Sequence, residues 1–594
     1  MPNRSRRQFL LWGALSLGVL ALVVVLAMAT TPAGNPAWRS ANGGGGTPAA
    51  DLPLAGTDYP VPPGAILVSP TGKDGAPGTA DQPLRSVAAA IALVAPGGTV
   101  VLRGGTYRET VGLVKKRITL QPYPGEHVWL KGSLVVTSWA RADKAWRHDG
   151  WTTDLCQNCF TPEIIDPEHS LAGSPDMAFV NGKALRQVGS TDEVGPGTFF
   201  VDRAAKALFV GDDPNGKLVE ATVFDRFLQF DTNSGGSVLR GIGVAQYGSN
   251  QDYGKRGAMV VVNAPDVTIE NATFAWSASS GLAVFQPGGK VTGGAFRNNG
   301  LVGLVANRAD DLRLTGNSFT ANNQERFSLS GEAIGAGGAK LTRTKRPYVA
   351  DNSFADNIGN GWWCDLGCTD ATVIRNVARG NAVNGLYYEV SSRALIASNT
   401  MTGNAARGLK ISSSDHVRVY QNTFAGNGTT LGLYNDKRGP ESDPYSKQLG
   451  LSWRTDNVTL VNNLYAGTDA TRPIVESADY KASPAANPAF VSSSDGNAYF
   501  RSTQGNKAPL VIWVRGSGQS TEYGSLAEFS QGTGSDTRSL ALDASPFTDP
   551  ANGDYTLRPG SPCLKAGRPL PADIATALGL PPTATPDIGA LKKP

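Results

Sequence analysis

Residues 361–392 read GWWCDLGCTDATVIRNVARGNAVNGLYYEVSS and hold two related segments, G-W-W-C-D and G-L-Y-Y-E. In each, an acid stands four residues after a glycine. Alternate side chains of a strand share a face. Trp362, Cys364, Leu386 and Tyr388 are therefore predicted to point inward, and Trp363, Asp365, Tyr387 and Glu389 outward. If the segments stack as neighbouring strands about 4.8 Å apart, their carboxyl groups come to roughly 5 Å. That separation suits glycosidic-bond hydrolysis with retention and is too short for inversion. Two such acids cannot both ionise freely. One pKa rises, giving an acid/base, while the other group stays charged as a nucleophile.

The flanking repeats extend the constellation. Counting from the glycines Gly338, Gly361, Gly385 and Gly408, the second residue onward is Lys340, Trp363, Tyr387 and Lys410. The fourth is Thr342, Asp365, Glu389 and Ser412. Earlier repeats put Ala283, Phe285, Val305 and Asn307 in the same columns. Trp363 and Tyr387 are predicted to stack on sugar faces. Lys340 and Lys410 flank the acids and are predicted to bond hydroxyls or keep one carboxylate ionised.

The elements that must hold these residues are short. The pattern Asn, any, apolar, two more, Asn recurs at Asn317, Asn352, Asn376, Asn399 and Asn422, with steps of 24, 23 and 23 residues from Asn352 onward. Runs such as VRVYQN and ALIASN alternate, and helical periodicity is absent. The leucine-rich consensus is missing. Short strands with a period in the low twenties predict an all-β solenoid, a right-handed parallel β-helix. The repeated Asn is expected at the coil turn, in the left-handed region, bonding its stacked neighbour.

Six segments follow. Residues 1–30 are a twin-arginine-type signal or membrane anchor (Ser5, Arg6, Arg7, Gln8, Phe9, Leu10, then about 20 apolar residues). Residues 31–60 are a Gly/Pro/Ala-rich linker. Residues 61–134 are an N-terminal cap, with a helix near 84–94, and the first coils. Residues 135–230 are an inserted β-module, 231–466 the β-helix, and 467–594 C-terminal coils and a wrap. The solenoid needs capping because its open ends expose core and strand edges.

Composition narrows the function. The chain of 594 residues has 54 basic and 50 acidic residues. Cleavage after residue 29 removes Arg4, Arg6 and Arg7, leaving 51 against 50. This balance, without a basic run, excludes a nucleic-acid binder. Export implies an extracellular or cell-surface protein, anchored by its N-terminal segment if that is retained; separately, a monomer is expected. Five cysteines in an exported chain point to disulfides. Cys156 with Cys159 and Cys364 with Cys368 are the close pairs, and Cys563 is left over. A zinc site would need histidines, and the chain has four. His416 reads as a solvated coil corner.

The segments G-W-W-C-D-L-G-C and G-L-Y-Y-E-V-S-S resemble the catalytic region of the retaining β-xylosidases built on a right-handed β-helix. The cap, insert and coils resemble that group over about 65–590, with specific motifs over about 335–415. The resemblance implies that Asp365 is the nucleophile and Glu389 the acid/base, acting on a polysaccharide or oligosaccharide without metal or cofactor. Two other classes stay open. A polysaccharide lyase would use Lys340 or Lys410 as base, Asp365 and Glu389 as Ca²⁺ ligands, and Arg343, Lys345 and Arg346 for uronates. The Asp cluster of calcium-type pectate lyases and the motifs of polygalacturonases and epimerases are not seen. A non-enzymatic surface β-helix that binds glycan would tolerate loss of both acids.

Overall fold

The computed structural model describes residues 57–591 except 158, 250–256, 330–334, 470, 481–489, 502–507, 517 and 582–583. The predicted signal or anchor and nearly all of the linker lie outside the described residues. Within them no helix is long and apolar enough to cross a membrane.

The chain is a right-handed parallel β-helix. Each coil lays down three short strands, and stacking the coils gives three sheets of 13 strands. The sheets run from Ile66–Val68 to Val491–Asp495, from Gly112–Val114 to Gln519–Tyr523, and from Gly105–Tyr107 to Leu540–Leu542. Neighbouring strands are parallel except the last two of the second sheet, which form a hairpin. Coils therefore start well before the visible Asn period and continue beyond residue 467, where the repeat fades in sequence.

Alternation sets what lies inside. Leu341, Cys364, Tyr388, Ile411 and Leu433 follow one another in register and are fully buried. On another sheet Phe274, Phe296, Phe319 and Phe354 stack with ring centroids 5.1, 4.6 and 4.9 Å apart. The glycines that open the site strands are required by close approach. A Cβ on Gly361 would sit 2.4 Å from the Gly385 carbonyl oxygen, and one on Gly385 2.7 Å from that of Gly408.

Two asparagine ladders bind coil to coil. One runs Asn317, Asn352, Asn376, Asn399, Asn422, Asn463 and Asn497. The other runs Asn299, Asn322, Asn357, Asn381, Asn404 and Asn427. Each Oδ1 accepts from both the backbone N–H and the Nδ2 of the asparagine one coil earlier, as Asn399 does from Asn376 at 2.9 and 3.0 Å. The first ladder ends where Asn497 Nδ2 donates to Asp536 Oδ1 at 2.8 Å. The expected left-handed conformation belongs to the residue before each ladder asparagine: Asp351, Arg375, Ser398 and Gln421 have φ of 61°, 54°, 55° and 57°. That residue turns the chain, leaving the next side chain to tuck inward and bond.

Asn399→Ala would strip the acceptor from two buried donors of Asn376. The unmade bonds are expected to cost about 1–3 kcal/mol, read as a lowered urea midpoint with an unchanged slope.

The cap helix is Val87–Leu93, started by Ser86, whose side chain accepts from the Ala89 N–H. The insert forms two small sheets from strands between residues 133 and 222. Its buried Glu220 pairs with Lys131 of the first coils at 2.8 Å and with Arg108. A segment of the insert crosses onto the second sheet. There Phe160, Ile164 and Ala172 cover the outward-facing Ala258, Val261, Ala283 and Val305, together with Phe327. Cys156 and Cys159 are disulfide-bonded at the start of this segment. At the C-terminal end, Leu526–Thr533 packs Phe529 on the solenoid core, and Ala572–Leu578 lies on the outer face of the first sheet.

Candidate functional site

Four consecutive strands of the second sheet carry the site: Gly337–Thr342, Asn360–Asp365, Asn384–Glu389 and Arg407–Ser412. Lys340, Trp363, Tyr387 and Lys410 are partners in turn along the sheet. Thr342 partners Asp365, and Glu389 partners Ser412. Asp365 and Glu389 thus stand on adjacent coils, each two residues beyond the paired Trp363 and Tyr387.

Inside the same coil, Cys364 is disulfide-bonded to Cys368. Both are fully buried, and the Tyr388 hydroxyl donates to the Cys368 carbonyl at 3.0 Å. The covalent link closes the bend after Asp365 from within. Cys563 is buried and unbonded, and His416 is exposed beside Asp415.

The four residues of the outward column form one continuous stack. The Lys340 ammonium lies 3.3 Å from the Trp363 ring centroid. The Trp363 and Tyr387 rings are 4.9 Å apart at 16°. The Lys410 ammonium lies 4.3 Å from the Tyr387 ring. The expectation that Trp363 and Tyr387 offer faces to sugars is therefore corrected. A one-coil spacing equals the ring-stacking distance, so the side chains consume each other's faces and present only edges. The Trp363 Nε1, at such an edge, has no hydrogen-bond partner among the described residues.

The two acids have different surroundings. Asp365 is 3 % exposed and Glu389 5 %. The Lys340 ammonium holds Asp365 Oδ2 at 3.2 Å, while Oδ1 has no hydrogen-bond partner among the described residues. Glu389 Oε1 accepts from Arg438 at 2.6 Å. Burial, and then the Asp365 charge, push the Glu389 carboxyl up to about 6, against the lowering pull of Lys410, Arg438 and Lys340. Burial also holds the Lys410 ammonium below its usual range.

Arg438 escaped the sequence reading. It lies on a long excursion between coils, 49 residues from the acid it bonds. The excursion is fastened at several points. Arg438 also pairs with Asp436 at 2.8 Å. Asp443 caps the short helix Pro444–Gln448 and pairs with Arg343 at 2.6 Å. Trp453 Nε1 donates to Ser446 Oγ at 2.9 Å, under the Arg438 guanidinium. A signal existed in the sequence: the ladder step from Asn422 to Asn463 is 41 residues, against 23 for the step before it.

Two surface depressions lie away from the acids. One of about 450 Å³ lies beside the insert at Gly112, Asp154 and Arg226. One of about 720 Å³ lies on the first sheet near Arg393, His416 and Asp573. Among the described residues, no group of three or more His, Cys, Asp or Glu stands in a geometry to hold a metal ion.

Comparison with known proteins agrees with this architecture. The model of the right-handed β-helix region matches residues 257–424, which include the site strands. A solved structure of XylC in complex with xylose superposes with a TM-score of 0.53 over 73 % of this chain and 83 % of that one, at 15 % identity. Pectate lyase PEL9 of Emericella nidulans is 40 % identical over 74 residues, 11 % of this chain and 18 % of that protein. The uncharacterised protein YwoF of Bacillus subtilis is 38 % identical over 78 residues, 12 % of this chain and 17 % of that protein. The chain thus spans less than a fifth of the length of the curated relatives it matches. Fold and matched region together make it a right-handed parallel β-helix protein.

Proposed function

We propose that this protein is a retaining glycoside hydrolase in which Asp365 is the nucleophile and Glu389 the acid/base. The observation that carries the reading is the pair itself: carboxyl groups on adjacent coils, each held by a different cationic partner. Asp365 has one oxygen on an ammonium and one with spare acceptor capacity. Glu389 is the member raised towards neutrality. In the first step an Asp365 carboxylate oxygen attacks the anomeric carbon, and Glu389 gives its proton to the departing oxygen. In the second, the Glu389 carboxylate takes a proton from water, which displaces Asp365 and restores both groups. Two inversions leave the anomeric configuration unchanged.

A metal is not needed to neutralise this pair, since Lys340 and Arg438 already face its two members. The β-eliminating alternative retains one support, the lowered pKa of Lys410, which suits a base. The two chemistries differ in product: elimination from a uronate polymer leaves an unsaturated sugar that absorbs in the ultraviolet. Export and membrane anchoring are part of the proposal and rest on residues 1–30 alone.

The test is a panel of aryl glycosides, with aryl β-xylosides first because the similarly folded XylC was solved with xylose. Proton NMR of the first product should show the substrate's own anomer. An inverted first product would reject the mechanism. The pH profile gives a second check. Glu389 must be protonated in the free enzyme, so kcat/KM should fall about tenfold per pH unit above about 6. Arg438→Gln removes a charge that favours the ionised form, so the falling limb should move to higher pH.

A further inference from the structure

The surroundings of the acid pair are asymmetric along the solenoid axis. One coil before Lys340, the outward residue is Val305, 3 % exposed beneath Phe160, Ile164 and Phe327. That side is closed by packed apolar side chains. On the opposite side the polar surface continues. Arg438 and Lys410 are the neighbours of Glu389 that reach solvent. Beyond them come Arg407, Tyr434 and Tyr480.

These last three are built as a unit. Tyr434 lies two coils past Glu389 in the same outward column. Its ring lies over Gly432, where a Cβ would come within 2.5 Å of Tyr434 Cε2. Its hydroxyl accepts from Arg407 Nε at 2.7 Å and donates to Glu476 at 2.7 Å. The Arg407 guanidinium covers one face of Tyr434, 4.7 Å from the ring centroid. Tyr480 stacks on Tyr434, centroids 6.0 Å apart and planes within 7°. The Tyr480 backbone N–H donates to the Asn435 carbonyl at 3.0 Å. Yet Tyr480 is 52 % exposed, the only Phe, Trp or Tyr among the described residues on the exposed surface. A ring held parallel to a buried, doubly bonded partner and left open to water is a preformed platform.

We propose that Tyr480 is a sugar-binding platform on the leaving-group side of the acid pair, and so sets the preference for substrate length. The proposal rests on the hydrolase reading, which fixes direction. The nucleophile and the leaving oxygen lie on opposite sides of the anomeric carbon. The leaving group therefore emerges on the Glu389 side, which is the side of Lys410, Tyr434 and Tyr480. Tyr480 stands about 10–14 Å further along the axis, two to three coils of about 4.8 Å. A single leaving sugar next to Glu389 would not reach it; a longer chain would. Trp363 and Tyr387, with their faces consumed, cannot take this role.

The experiment uses the full chain, Tyr480→Ala and Tyr480→Phe. The probes are 4-nitrophenyl glycosides of xylose, glucose, galactose, arabinose and mannose, and the oligosaccharides of two to six units of whichever sugar is turned over. Wild type should gain kcat/KM with length up to about four units. Tyr480→Ala should lose that gain, on the order of tenfold on the longer oligosaccharides, the scale of one aromatic contact. Its kcat/KM on the aryl glycoside and its Tm should match wild type, and Tyr480→Phe should keep the gain. Normal aryl-glycoside turnover with no length-dependent loss in Tyr480→Ala would overturn the platform and leave the hydrolase reading standing. Absence of turnover of every probe by wild type would overturn the hydrolase reading, and the platform with it.

Discussion

Asp365→Asn should abolish turnover of every substrate, by about 10⁴-fold or more, the scale seen when a covalent nucleophile is removed. The amide keeps the shape of the carboxylate but cannot form the glycosyl ester. The leaving group should not matter, because no leaving group compensates for a missing nucleophile. The Lys340 ammonium, buried and 3.2 Å from Asp365 Oδ2, would lose its anion, so Tm should fall modestly while the fold persists. Asp365→Ala supplies a sharper readout. It opens space on the attacking side, where added azide can displace an activated leaving group directly. A single displacement inverts the centre, so the glycosyl azide should have the opposite configuration to the substrate. A substrate-configured azide, or a variant of undiminished activity, would place the nucleophile elsewhere.

Glu389→Gln should split substrates by leaving group. Those with poor leaving groups need the proton in the first step and should lose about 10²–10⁴-fold, the usual contribution of a positioned acid. A dinitrophenyl glycoside needs none, and its first step should survive. The glycosyl-enzyme then accumulates, since no base activates the water. A burst followed by slow turnover is the expected trace. Azide should restore turnover with retained configuration, because it attacks without deprotonation. The falling limb of the pH profile near 6 should also vanish, since the group that titrates there is gone. Equal losses on all leaving groups would assign Glu389 a positioning role instead.

The solenoid and the acid column were legible because both depend on strict period. Alternation within a strand and the 23- or 24-residue step decide which way Trp363, Asp365, Tyr387 and Glu389 point, and little else in the chain can override it. The two cysteine pairs were legible from their short separations, three and four residues. Arg438 was not, because it reaches Glu389 from an excursion whose path is set by packing against Trp453 and by the Arg343–Asp443 pair. Period says nothing about an excursion's route. Its length is visible, however. The ladder steps of 35 residues from Asn317 and 41 from Asn422 bracket the acid coils, whereas the steps between are 24, 23 and 23. Places where a solenoid breaks its own count deserve to be read as site walls. The stacking of Trp363 on Tyr387 was implicit in the one-coil spacing, and sequence reading went astray by treating two rings in register as two free surfaces.

The asparagine ladder is more than a set of bonds, because every amide in it faces the same way. From Asn317 to Asn497 each Nδ2 donates forward and each Oδ1 accepts from behind. The group dipoles therefore add along the axis, with the positive end towards the C-terminal coils. Aligned chains of this kind polarise one another and strengthen together. An acceptor at the positive end stabilises such an array, as an anion does at a helix N-terminus. The chain supplies one: Asp536, 2 % exposed, accepts from Asn497 and from the Ser494, Ser539 and Tyr499 hydroxyls. The C-terminal segment is thus an electrical terminus as well as a lid. A chain shortened before Asp536 would leave seven aligned amides ending on a bare donor.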